Sequence, residues 1–307
     1  NTEADALADA LSQYSDLYRE LFGITDIRSQ CVEYTSSMSL QQSGLERLSD
    51  VDGFAAAMDS YVTSFKVAFP KFDATNLTIY LLPSFGRFQA QARTFHDKPV
   101  LLLDSNFCST VMRGNVPSAF VHHELFHIYH GQIIPEMRRG TEDFFRTGQM
   151  PSLGTLLWVE GLAVHCARQL NPHASDAELF PSAAIVDATE KDYGRLVKEA
   201  ADSADNATMQ SISGFFYIPR LDGKSIPQNC GYVIGERLIE QMLKEQSLEQ
   251  IMSLRGSELT SAIRRAAAQI VDGLESPNQS PQRNAGSHSS SDYSPTPETP
   301  SSLVPRG

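Results

Sequence analysis

The stretch at 121–130 constrains this chain more than any other, because it contains the pattern His123-Glu124-x-x-His127. On an α-helix, residues four apart lie on one face, so the two imidazoles can converge on a single ion. Glu124 is offset by about 100° from His123, so it tends to reach a water on that ion rather than the ion itself. Two neutral nitrogen ligands and a carboxylate that accepts a proton from water are what a hydrolytic zinc site needs. The pattern therefore predicts a helix that binds one Zn²⁺ through His123 and His127, with Glu124 as the general base.

Apolar residues surround this pattern on nearly every side of the predicted helix. They are Ala119, Phe120, Val121, Leu125, Phe126 and Ile128. A helix that is apolar almost all round belongs in a core, and histidines buried there need partners. Asn115 or its neighbour is expected to cap the helix, with Pro117 in the first turn and Gly131 at the end.

A second predicted helix, at 151–170, has Glu160 in the middle of its apolar stripe. A lone buried carboxylate is costly unless it is paired. An arginine or a bound proton would satisfy it, and so would a metal ion that already has two histidine ligands. We therefore predict Glu160 as the third zinc ligand, which leaves a fourth position for water.

Short β-rich runs come just before the motif helix. Residues 77–82, 88–92 and 99–104 favour strands, and residues 96–97 favour a turn between the last two. Most other patterned segments have helical spacing, so we predict an α+β, predominantly helical fold with a small sheet before the HExxH helix. An exposed edge strand of such a sheet can hold an extended peptide through backbone hydrogen bonds.

Composition bounds the class of protein and its partners. The 307 residues include 41% hydrophobic and 20% charged residues, as in an ordinary globular protein. The net charge of −12 argues against nucleic acid and anionic membranes as partners. No apolar run approaches the roughly 20 residues that a membrane-spanning helix needs. The oligomeric state is left open.

The chain divides into three predicted parts. Residues 1–75 carry amphipathic helices that should pack on a catalytic domain at 76–275. Residues 276–307 are rich in serine and proline with few apolar side chains, so we expect them to be disordered. The last five residues, Leu-Val-Pro-Arg-Gly, resemble a thrombin site from an expression vector.

Together, the two metal helices resemble those of the gluzincins, zinc peptidases whose third ligand is a glutamate on a later helix. His127 is followed 33 residues later by Glu160 in Trp-Val-Glu-Gly-Leu-Ala. The Glu-Gly-Leu-Ala segment is similar to that of bacterial families described as predicted Zn-dependent proteases. This resemblance covers residues 76–246 and implies a zincin-like domain. It also implies a tyrosine-containing helix near the domain end, which makes Tyr232 the first candidate for an oxyanion donor, ahead of His165 and Tyr217.

The chain departs from related patterns at three points. Thermolysin-like members place an aspartate four residues after the glutamate ligand, where this chain has Val164, so support for the histidines must come from elsewhere. The metzincin pattern needs glycine and histidine three and six residues after His127, and the chain has His130 and Ile133. The segment ending at Asp143 resembles the Gly-Thr-x-Asp of aspartate-ligated zinc peptidases, so Asp143 stays an alternative third ligand.

These residues predict a peptidase that acts on a peptide or protein substrate. Zinc would lower the pKa of water and polarise the carbonyl, while Glu124 accepts the water's proton. A hydrogen-bond donor such as Tyr232 would face the developing oxyanion. A zinc-stabilised binding module without turnover stays an alternative, although such a module has no need of a base at Glu124.

Two features bear on location. The chain begins at Asn1, which leads us to expect that a signal peptide was removed and the protein exported, with a cytoplasmic location left open. The four cysteines, Cys31, Cys108, Cys166 and Cys230, have no C-x-x-C spacing. The absence of that spacing excludes a cysteine-cluster metal site, while four separate cysteines permit two disulfides in an exported protein.

Overall fold

A three-stranded mixed sheet with helices on both faces organises the fold in the computed structural model, which describes residues 2–37, 46, 48–135, 150–216 and 226–275. Its strands are β1 (Thr78–Leu82), β2 (Ala90–Phe95) and β3 (Lys98–Asp104). Most of the described residues are helical. The predicted α+β, predominantly helical class is confirmed, as is the small sheet before the motif helix.

Strand β3 is the central strand, parallel to β1 and antiparallel to β2, so the order is β1-β3-β2. Val100 and Leu102 belong to one apolar cluster, while Leu101 and Leu103 belong to another. Burial on both faces explains why the four consecutive residues from Val100 to Leu103 are all apolar. The predicted turn at 96–97 joins β2 to β3, and both of its residues have positive φ, at 49° and 60°.

The amino-terminal helices cover one face of the sheet. They are α1 (Thr2–Leu11), a short 3₁₀ turn (Ser12–Tyr14), α2 (Ser15–Phe22) and α3 (Ile27–Ser37). Their apolar side chains pack around Val100 and Leu102. The buried Tyr18 hydroxyl donates a hydrogen bond to the Pro83 carbonyl oxygen at 2.8 Å and so fixes α2 on the sheet.

The larger core lies on the other face. Its helices are α4 (Val51–Ala68), α5 (Ser105–Thr110), α6 (Ser118–Ile133), α7 (Leu153–Leu170), α8 (Asp176–Leu179), α9 (Ala184–Glu190), α10 (Tyr193–Asp202), α11 (Met209–Phe216), α12 (Cys230–Met242), α13 (Leu248–Met252) and α14 (Gly256–Glu275). Helix α4 packs on the motif helix α6, although it precedes the boundary predicted at residue 75. That boundary remains a prediction.

The ends of the two predicted metal helices follow from different causes. Pro117 is the N-cap of α6, with ψ of 144°, so neither Asn115 nor its neighbour 116 caps this helix. Gly131 lies inside α6 and does not end it, since the helix continues to Ile133. Helix α7 begins as predicted, since the Ser152 hydroxyl oxygen accepts a hydrogen bond from the Thr155 N–H at 3.2 Å.

Some predictions lie outside the described residues, among them Asp143, Tyr217 and the tail at 276–307. All four cysteines are described, and each is a buried free thiol, so the disulfides that the sequence permits are not formed. Within the described ranges, no helix is both long and apolar enough to cross a bilayer.

Candidate metal centre

Helix α6 presents two of its histidines to one point. His123 and His127 are four residues apart, and their Nε2 atoms lie 3.1 Å from each other. Most of the helix is buried, with Val121, Leu125 and Phe126 fully covered. Because the apolar side chains pack into the core, the rotation of α6 about its axis is set, and with it the direction of both imidazoles.

Glu160 completes the cluster from the facing helix α7. Its Oε2 lies 3.2 Å from the Nε2 of His123 and 3.5 Å from the Nε2 of His127. These three residues form a possible metal-binding group within the described part of the chain. Each side chain keeps a small exposed fraction, 14% for His123, 18% for His127 and 17% for Glu160, so solvent can reach the cluster.

The spacing of the three donor atoms fits a single ion. An ion bound tetrahedrally by nitrogen and oxygen at about 2.0–2.1 Å holds its donors roughly 3.3–3.4 Å apart. The measured sides of the triangle, 3.1, 3.2 and 3.5 Å, lie around that value. The two Nε2 atoms cannot face each other with both lone pairs bare, so a proton or a cation has to lie between them. The cluster can therefore hold a metal ion.

Electrostatics at the cluster favour positive charge. Burial alone would lower the pKa of His127, but the charge of Glu160 and the hydrogen bond to it raise that pKa to about 9. Burial would raise the pKa of Glu160, yet the adjacent histidines hold it well below its usual range. The two shifts are reciprocal: the carboxylate stabilises the protonated imidazole of His127, and the histidines stabilise the ionised carboxylate.

A cleft of about 1410 Å³ passes along the cluster. Its walls are helix α6, helix α7 and strand β2, and all three cluster residues line it. Glu124 lines the same cleft and is 9% exposed. A carboxylate thus lies beside the cluster without belonging to the donor triangle.

Strand β2 is the edge of the sheet on the cleft side. The Asp104 N–H donates to the Gln89 carbonyl oxygen at 2.9 Å, which defines a hydrogen-bonded pair of an antiparallel ladder. Along such a ladder, hydrogen-bonded pairs alternate with pairs that are not hydrogen-bonded. Ala90 and Ala92 belong to the second kind, so their N–H and C=O groups point away from β3. Pro99, which has no N–H, lies opposite Thr94 in another pair that is not hydrogen-bonded between the two strands.

Tyr232, in the first turn of α12, also lines the cleft. Its ring centroid lies 6.2 Å from that of His123 and 5.3 Å from that of Phe216. Phe216 also fills the space over Gly231, where an added Cβ would lie 2.5 Å from the phenylalanine ring. The phenylalanine therefore restricts how the tyrosine ring can move.

Helices α7 and α12 cross with their backbones in contact. A Cβ on Gly161 would lie 2.3 Å from the carbonyl carbon of Gly235, so neither position has room for a side chain. Next to this crossing, Arg168 donates two hydrogen bonds to the fully buried carboxylate of Glu236, at 2.6 and 3.0 Å. No sequence pattern assigned a role to Gly235 or Glu236. The one local signal for this crossing is the glycine that directly follows Glu160.

The other histidines of α6 have structural partners. His122 accepts a hydrogen bond at Nδ1 from the Asn171 amide at 2.9 Å, and its Nε2 donates to the Tyr61 carbonyl oxygen at 3.1 Å. His130 is buried against Trp158, with ring centroids 4.7 Å apart. Both therefore tie α6 to neighbouring helices.

The remaining candidates are not in the cleft or not described. His165, five residues after Glu160, is on another side of α7 and is not among the cleft residues, and its Nδ1 is buried without a hydrogen-bond partner. Val164 is fully buried in an apolar cluster with Ala119. Asp143 and Tyr217 lie outside the described ranges.

Comparisons of the chain with protein-family models, with curated proteins and with solved structures gave no match. The site's own residues and geometry are thus the basis for a function.

Proposed function

We propose that this protein is a zinc-dependent peptidase of the gluzincin type, with His123, His127 and Glu160 as zinc ligands. The observation that carries the proposal is the triangle of donor atoms with sides of 3.1–3.5 Å, next to Glu124. Two imidazoles and one carboxylate are a donor set that suits Zn²⁺ in hydrolytic sites. When bound there, zinc would lower the pKa of water and polarise the substrate carbonyl.

Glu124 is the general base in this proposal. It lines the cleft beside the two histidines and takes no part in the donor triangle. Its carboxylate accepts a proton as the water oxygen attacks the carbonyl carbon. It then delivers that proton to the amine nitrogen as the C–N bond breaks.

Tyr232 is the proposed donor to the oxyanion. Its position in the cleft near His123 suits a hydroxyl that donates a hydrogen bond to the carbonyl oxygen as negative charge develops there. Its contact with Phe216 supports the same role, because a donor stabilises a transition state best when it is already oriented.

Strand β2 is the proposed support for the substrate backbone. The outward N–H and C=O groups of Ala90 and Ala92 can pair with an extended peptide. Both side chains are small and pack towards the core that contains α6, so they leave space in the cleft. This favours a peptide over a compact small molecule.

The test is the variant Glu124→Gln, with Glu33→Gln as a matched control on the exposed surface of α3. We expect Glu124→Gln to retain about one zinc per chain and to lose activity about 10²–10⁴-fold, because only the base is removed. The control should keep both zinc and activity. Zinc content is measured by atomic emission and activity with a fluorescent peptide library, with and without chelator. Loss of zinc from Glu124→Gln, or full activity in it, would contradict the assignment.

A further inference from the structure

The cleft continues along helix α6 on both sides of the metal cluster. On the amino-terminal side it is lined by Pro117 and Phe120, and on the other side by Gly131 and Gln132. At 1.5 Å per residue, Pro117 lies about 9 Å along the helix from His123, and Gln132 lies roughly 7 Å beyond His127. An extended peptide advances about 3.3 Å per residue, so each arm accommodates about two residues.

The volume of the cleft agrees with a polymeric substrate. Pockets for small ligands usually measure about 300–1,000 Å³, and this cleft measures about 1410 Å³. Along β2, the outward backbone groups of Ala90 and Ala92 are two residues apart, the spacing at which a peptide strand pairs in register. The support is thus a stretch of backbone and not a single binding point.

We infer that the site cleaves internal bonds of an extended peptide chain, with substrate residues bound on both sides of the bond that breaks. This rests on the proposed function. In the reaction, water adds a hydroxyl group to the carbonyl carbon and a proton to the amide nitrogen, and the C–N bond breaks, so no further reactant is needed. The substrate class is therefore an unstructured segment of a protein, cleaved away from its ends.

The experiment uses two decapeptide libraries of the same sequences, one with free ends and one with an acetylated amino end and an amidated carboxyl end. We expect the zinc-loaded protein to cleave both with rates within about threefold of each other, at internal bonds identified by mass spectrometry. Peptides shortened to one residue on either side of the identified bond should be cleaved about tenfold more slowly, because backbone hydrogen bonds to β2 are lost.

A binding measurement separates the two proposals. Fluorescence anisotropy with Glu124→Gln should show that the blocked and free peptides bind equally well. The further change Ala92→Pro, which removes one outward N–H, should weaken binding of both several-fold. If only free-ended peptides are cleaved, one or two residues from an end, the internal-cleavage proposal is overturned while the peptidase proposal stands. If neither library is cleaved, both proposals are overturned.

Discussion

Replacing Gly235 by alanine should separate the helices that carry Glu160 and Tyr232. The new Cβ would lie 2.4 Å from the carbonyl oxygen of Leu157 and 3.1 Å from the Cα of Gly161. Ordinary contacts of this kind measure about 3.5 Å, so α7 and α12 must move apart by roughly 1 Å. Both clashing groups on α7 are backbone, and no side-chain rotation can relieve them.

The size of the effect follows from two opposing contributions. Overpacking in a core costs about 1–3 kcal/mol, and the upper end applies here because backbone meets backbone. Alanine regains up to about 1 kcal/mol through its higher helix propensity. The net loss in the free energy of unfolding is then about 2 kcal/mol. This should lower the melting temperature by about 4–8 °C, at roughly 2–4 °C per kcal/mol.

The same displacement should reach the metal site. Metal ligands must be held within about 0.5 Å of their productive positions, and Glu160 is next to Gly161 at the crossing. We expect zinc affinity to fall about 10–100-fold, as when a supporting contact of a metal site is lost. Affinity is measured by competition with a chromophoric chelator, and stability by thermal unfolding in EDTA, so that metal does not contribute to the second value.

The control is Gly273→Ala, since a Cβ at that helical position meets no atom within 4 Å. It should leave zinc affinity unchanged and stabilise the protein by up to about 1 kcal/mol. If Gly235→Ala unfolds at the temperature of the parent protein and binds zinc as tightly, the crossing does not position Glu160.

Three further predictions concern the ligands, a buried histidine and the oxyanion donor. Glu160→Gln should purify with little zinc while Asp143→Asn retains close to one ion per chain after equal dialysis; the opposite result would favour Asp143 as third ligand. Burial lowers the pKa of His130 to about 3, so below pH 6.5 the unfolded chain takes up the proton first. Metal-free protein should therefore lose up to about 1.4 kcal/mol of stability per pH unit between pH 6.5 and 5, and His130→Phe should reduce that slope in urea unfolding. Tyr232→Phe should keep zinc and KM but lower kcat about 10²-fold; an unchanged kcat would remove the tyrosine from the mechanism.

Local spacing was enough to predict the parts of the site that lie within one element. His123 and His127 share a face because they are four residues apart on a helix, and Glu124, the next residue after His123, lines the same cleft. The turn at 96–97 and strand β3 follow from similar short-range patterns, whereas β2 runs from Ala90 to Phe95 and so was predicted only in part by the alternation at 88–92. In each case the physical cause acts over a few residues, so the sequence alone contains it.

The alignment between elements required the tertiary structure. Glu160 was identified as a charged residue on an apolar helical stripe. The separation of 33 residues between His127 and Glu160 in the sequence does not determine which element that stripe packs against. Glu160 reaches His123 and His127 because α7 packs against α6. At another contact of α7, Gly161 and Gly235 let the backbones of α7 and α12 touch, and Arg168 with Glu236 joins the same two helices.

The roles of neighbouring histidines also depended on tertiary contacts. His122 and His123 are adjacent, yet one binds Asn171 and the other faces Glu160, since the packing of α6 against its neighbours decides which side of the helix faces the cleft. The edge position of β2 has the same kind of cause. Strand β1 pairs with β3 and not with β2, the next strand in the sequence, which leaves β2 at the edge of the sheet beside the cleft. The sequence by itself thus determined which side chains are candidates for binding a metal ion. Only side-chain packing between distant elements decided which of them meet.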